Sequence, residues 1–224
     1  MEHAELADSA AHRSELYWLL AELTLSPPGP VLIERLCNGL PAASGDKTSN
    51  PIVDGLLALR NALPPAGDAV VGDALAVDYT RLFSGIKPGY GLPPPHESIH
   101  RGAATPTDVF TQVLASYTEA GFPALEEAAA PPDHIGVELR FIALLCHKEM
   151  EAWRAGAADA AVRALEQQRD FLDSHLQMWA PQFWTTVKAQ AQHAFYRALA
   201  ALALDAMTED RALLEEMRVE FDAA

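Results

Sequence analysis

The chain has 224 residues, half of them apolar, and a formal net charge of −15 from 16 Lys and Arg against 31 Asp and Glu. A chain of this size and composition buries a core without disulfide or metal staples and is not globally disordered, and its acidity disfavours nucleic-acid phosphates while attracting basic partners. Cys37 and Cys146 form no C-x-x-C, no run approaches the ~20 apolar residues of a membrane span, and the N-terminus is acidic where a signal peptide is basic, so the expectation is a cytoplasmic protein with no stable membrane insertion.

Helical spacing dominates the chain and predicts an all-α fold. Leu16, Leu19, Leu20 and Leu23 form the stripe of a first helix that ends at Ser26-Pro27-Pro28. Leu32, Ile33, Leu36 and Leu40 mark a second, short helix, and Pro41 to Asn50 reads as a loop. Ile52, Leu56 and Leu59 mark a third, stopped by Pro64-Pro65, and Val70, Leu75, Tyr79, Leu82 and Phe83 a fourth. Ser84 to His100 then breaks all periodicity; its three consecutive prolines block helix and favour extended backbone. A fifth helix carries Val109, Val113, Leu114 and Tyr117 and ends at Gly121. After a second irregular stretch, with a helical turn at 124–130, long helices are predicted near 133–156, 158–180 and 181–206, with Pro181 in a first turn and a terminal helix in 208–224. The expected organisation is a compact multi-helix bundle: an N-terminal half, 1–120, a hinge, 121–132, and a C-terminal half, 133–224.

Two islands interrupt this pattern, and each gathers polar groups where a helix meets a loop. In the first, Asp78-Tyr79-Thr80-Arg81-Leu82-Phe83 is followed by Pro94-Pro95-His96-Glu97-Ser98. Tyr79, Leu82 and Phe83 are spaced to point inward, and Asp78 and Arg81 to form a local ion pair. The proline run holds Glu97 and Ser98 at low entropic cost, with Ser98 as a candidate helix start. In the second, Pro131-Pro132 precedes Asp133, placed for an N-cap or a first helical turn, and His134 and Glu138 share a helix face. A long irregular loop in a compact domain is often functional, and these groups suit recognition better than reaction.

Patterns for other chemistries are absent. His96 with His100, and His134 with Glu138, give no H-E-x-x-H and no third ligand, so no metal site is expected. No P-loop, dinucleotide fingerprint or G-x-S-x-G occurs, so neither a cofactor nor a catalytic residue is expected. The alternative from another class is a small helical hydrolase using His134 and Glu138.

In their order and spacing, Tyr79-x-x-Leu82-Phe83, Pro-Pro-x-Glu97-Ser98, Pro-Pro-Asp133-His134-x-x-x-Glu138-Leu139, Phe171-Leu172-x-x-His175-Leu176-x-x-Trp179 and Phe195-Tyr196-x-Ala198-Leu199 resemble the TorD/DmsD/NarJ family of redox enzyme maturation chaperones. The family often has an aromatic residue where this chain has His96 and an acidic one where it has Ala130. The resemblance implies an all-helical cytoplasmic chaperone, not an enzyme, that binds the twin-arginine signal peptide and the apo form of a molybdopterin oxidoreductase catalytic subunit and delays export until cofactor insertion. It also implies peptide contacts at Asp133, His134, Glu138, Glu97, Ser98 and His96, with Tyr79, Phe83 and Leu139 shaping the site. A nitrate-reductase-type chaperone acting on a non-exported subunit is the alternative within the family. The expected species is a monomer able to form a dimer by exchanging its halves across 121–132.

Overall fold

The computed structural model describes residues 3–40, 50–63, 69–85, 91–102, 106–123, 125 and 130–222. The expected loop at 41–49, the Pro64-Pro65 stop, Gly89-Tyr90 and most of the turn at 124–130 lie outside them. Every regular element among the described residues is a helix: α1 (His3–Leu25), α2 (Pro30–Gly39), α3 (Pro51–Asn61), α4 (Ala69–Phe83), α5 (Glu97–His100), α6 (Pro106–Glu119), α7 (Ile135–Arg154), α8 (Ala158–Phe171), a π-helical turn (Leu172–Leu176), α9 (Gln177–Gln190) and α10 (Ala194–Asp222). None of these helices is long and apolar enough to cross a membrane.

The chain divides into two compact units, one of Met1–Leu25, His96–Ala180 and Thr208–Ala224, the other of Ser26–Pro95 and Pro181–Met207. Two of the four divisions fall inside helices, one in α9 and one in α10. Residues 121–132, read above as a hinge, belong to the first unit. Both of their flanks are tied there. α6 closes with a left-handed Gly121 (φ 88°), with Phe122 N–H bonded to Tyr117 O and Gly121 N–H to Thr118 O. The Tyr117 hydroxyl, buried on the same helix, donates to Pro132 O at 2.7 Å.

In the first unit α1 lies along α7. The buried face of α1 is Leu6, Ala10, Arg13, Tyr17, Leu20, Ala21 and Thr24, whereas Leu16 and Leu19, expected in the stripe, are only half-buried. The reason is Arg13, a charged residue at the stripe's centre. Its guanidinium bonds Glu149 of α7, Gln168 of α8 (2.7 Å) and Asp210 of α10 (2.9 Å). Glu149 also accepts from Trp153 and Gln168, and Asp210 from the Tyr17 hydroxyl. At the first turn of α7 a Cβ on Gly136 would come within 2.6 Å of the Leu25 side chain, so the absence of a side chain sets the close approach of α1.

In the second unit the core is aromatic. Phe83 meets Phe183, Trp184 and Tyr196 at ring distances of 6.0, 6.2 and 5.9 Å, and Tyr79 meets Phe83 at 5.2 Å. The expected Asp78–Arg81 ion pair forms at 2.6 Å. Asp78 also accepts from the backbone N–H groups of Gln192 and His193 at 2.9 and 2.8 Å. That cap marks the true break between the last helices. The expected break at 180/181 does not occur: Pro181 lies inside α9, and the helical path runs from α8 through the π turn to Gln190. The π turn lies about one turn before Pro181 on the same helical path. Residues 208–222, expected as a separate tail helix, continue α10 without interruption.

Candidate functional site

The His96-Glu97-Ser98 end of the first island meets the second island in the first unit, while Asp78–Phe83 belongs to the second unit. His96 and His134 form an isolated antiparallel bridge, and the Glu97 N–H donates to Asp133 O at 2.9 Å. This places His96, Glu97, Ser98, Asp133, His134 and Glu138 in one cluster.

His134, not Asp133, is the N-cap of α7. Its Nδ1 accepts from the Gly136 N–H at 3.1 Å, a bond that requires a neutral imidazole. Burial, reinforced by the nearby His96, lowers its pKa from the usual 6.5 to about 4, so the ring stays neutral at physiological pH. Asp133 is thereby free to reach across the bridge. Its Oδ2 accepts from the Ser98 hydroxyl (2.5 Å) and backbone N–H (3.3 Å), and its Oδ1 lies 3.1 Å from His96 Nδ1. Burial pushes this carboxyl up, but the bonds from His96 and Ser98 outweigh it and hold it below the usual carboxylate range. Ser98 does not start α5; that helix begins at Glu97, with His96 as its N-cap.

Glu97 and Glu138 are fully buried. Glu97 accepts from Arg101 at 2.5 Å and lies 3.0 Å from His175 Nδ1. Arg101 also donates to Ser174 O at 3.2 Å. Glu138 accepts the Trp179 indole N–H at 3.2 Å. Burial and the adjacent Glu97 charge push the Glu138 carboxyl well above its usual range. His100 stacks on Trp179 with ring centroids 5.2 Å apart. Leu139 is buried core of α7, Phe83 is buried core of the second unit, and the half-buried Tyr79 packs against Phe83 there.

His175, Trp179, Arg101 and Tyr117 complete this cluster, and reading the chemistry of the islands alone did not single them out. A histidine inside the apolar stripe Phe171-Leu172-x-x-His175-Leu176 is the available signal, because a buried polar residue is more informative than a buried apolar one. The π turn carries that histidine, and such turns recur at functional positions. His134 and Glu138, read as a potential pair, diverge: one caps the helix, the other bonds Trp179. Neither presents an accessible acid or base, which removes the geometry the hydrolase reading needs. Among the described residues no cluster of three or more His, Cys, Asp or Glu could hold a metal ion.

The solvent-facing part of the cluster is small. The His96 and Arg101 side chains are 19% and 26% exposed, Ser98 is half-buried, and the neighbouring Ile99 is 46% exposed. This strip sets hydrogen-bonding groups beside one exposed apolar side chain, with buried carboxylates behind them.

A family model described as nitrate reductase delta subunit matches residues 47–185. The Chaperone protein TorD of Vibrio cholerae serotype O1 is 26% identical over 92% of this chain and 93% of its own length. The Chaperone protein TorD of Vibrio parahaemolyticus is also 26% identical, over 90% and 94%. A selenate reductase assembly chaperone protein from Thauera selenatis is 43% identical over 58 residues, 26% of this chain and 29% of that protein.

Proposed function

Because the chain belongs to the nitrate reductase delta subunit family, that of the TorD and NarJ chaperones, we propose that it is a cytoplasmic chaperone for maturation of a molybdenum-containing oxidoreductase. It binds the twin-arginine signal peptide or the apo-enzyme, acts by binding alone, and delays export until the cofactor is in place. The observation that carries this reading is the bridge of His96 to His134, which sets the Asp133 carboxylate behind a strip of His96, Ser98 and Ile99. Asp133 draws the basic part of the leader, Ile99 meets its apolar part, and His96 and Ser98 make the direct polar contacts. Glu97, Glu138, His134 and Leu139 hold the frame from within.

The test is calorimetric titration with a synthetic twin-arginine leader. Binding should weaken with salt and vanish when both arginines become alanine. Asp133→Asn should weaken it roughly tenfold per folded molecule while lowering the melting temperature less. A melting temperature that collapses with unchanged affinity makes Asp133 a scaffold residue. Binding of the apo-enzyme body with none of the leader moves the reading to a chaperone for a non-exported subunit.

A further inference from the structure

Glu138 differs from the other buried carboxylates near it. Its Oε2 has the Trp179 indole, but its Oε1 is buried with no hydrogen-bond partner among the described residues. The neighbouring carboxylate, Glu97, is already committed to Arg101 and His175. The titratable and charged groups around Glu138 are Glu97 and His100 of α5, Arg101 just past its end, Tyr117 of α6, Asp133 and His134 at the start of α7, and His175 of the π turn. Arg101 is the one fixed cation among these, and it is bound to Glu97 and Ser174 O. An ionised, unpartnered carboxylate oxygen beside a second carboxylate is strongly disfavoured in a dry interior, and a proton removes the cost.

We propose that Glu138 holds a proton against Glu97 in the free protein, and that seating a cationic segment at the Asp133–Ser98–His96 face releases that proton to solvent. This deepens the reading above and rests on it. The O–H bond of Glu138 breaks, the proton passes to buffer, and the cluster gains one negative charge as the ligand brings a positive one. His175 offers the way out. It lies against Glu97 and also lines a cleft of about 170 Å³ whose rim includes the exposed Glu119, Asp170 and Ser174. By linkage, affinity for the cationic segment then rises with pH, at most about tenfold per unit for one proton.

Two measurements on the full-length chain test this. The infrared spectrum of the free protein at neutral pH should contain the C=O band of a buried, protonated carboxyl, absent in Glu138→Gln. Titration of the synthetic leader in two buffers of different ionisation enthalpy should give enthalpies that differ by the released proton, a difference lost in Glu138→Gln. Trp179→Phe removes a donor to the ionised form and should move the pH dependence upward, which a merely structural role would not do. A wild type without the band overturns the proposal even if the leader binds. A band with buffer-independent enthalpy overturns the linkage. A leader that does not bind at all overturns the proposed site and the linkage with it, while the band still reports whether Glu138 is protonated.

Discussion

The sharpest test of the site's internal electrostatics is the pH dependence of stability, because His134 and Glu138 push it in opposite directions. The folded pKa of His134 is lowered from 6.5 to about 4. Between these values the unfolded chain binds more protons than the folded one. The stability contributed by neutral His134 is therefore complete above about pH 6.5 and is lost as pH falls towards 4. A depression from 6.5 to about 4 corresponds to about 3 kcal/mol by pH 4 for this almost fully buried group. Glu138 is raised instead, so its contribution is complete below its unfolded value of 4.5 and is lost as pH rises towards its folded value. The two slopes oppose each other above pH 4.5, and the wild-type profile alone is uninformative. Urea unfolding from pH 4 to 7.5 should be compared for wild type, His134→Asn and Glu138→Gln. Asn is a good N-cap, so His134→Asn keeps the helix start and removes the titration. Its stability relative to wild type should rise by about 3 kcal/mol between pH 7 and pH 4. Glu138→Gln should gain on wild type as pH increases. Profiles of wild type and His134→Asn that stay parallel down to pH 4 would refute the neutral, capping histidine.

Two further outcomes are expected. Arg13→Met leaves Glu149 and Asp210 buried without their cation and should cost about 3–5 kcal/mol in denaturant unfolding, whereas a loss under 1 kcal/mol would mean that water or rearrangement replaces the guanidinium. Exchange of elements across 121–132 should give a dimer that grows with concentration in light scattering; one monomeric mass throughout the range refutes it.

The helices of this chain were legible because apolar residues at helical spacing need only local geometry to be read. The islands were legible because proline runs and clustered polar groups break that spacing. Their meeting at the His96–His134 bridge was not, since nothing local links residues 37 or so positions apart to one another. Asp133 looked like the cap because carboxylates favour that position, yet Ser98 and His96 offer it better partners and His134 takes the cap instead. Pro181 looked like a helix start because proline favours a first turn, yet it lies inside α9. Arg13 was hidden for a similar reason: its partners at 149, 168 and 210 each look like surface residues until three other helices converge on α1.

The two buried charged clusters of the first unit invite comparison, because they differ in how fully their carboxylates are served. Around Arg13 every carboxylate oxygen has a donor: Trp153, Gln168 and Arg13 serve Glu149, and Arg13 and Tyr17 serve Asp210. Such a network, in which every carboxylate oxygen is served and only Arg13 Nε among its described atoms lacks a partner, fixes how α1, α7, α8 and α10 meet. The cluster at the bridge holds Glu97, Asp133 and Glu138 with Arg101 as its fixed cation, and leaves one oxygen of Glu138 without a donor. Its deficit is of positive charge, and it lies behind the strip that carries His96, Ser98 and Ile99. A scaffold has no use for an uncompensated deficit in its interior, because filling it with apolar side chains would be more stable. In the site we propose, the free protein meets that deficit with the proton on Glu138, and a cationic partner takes the proton's place.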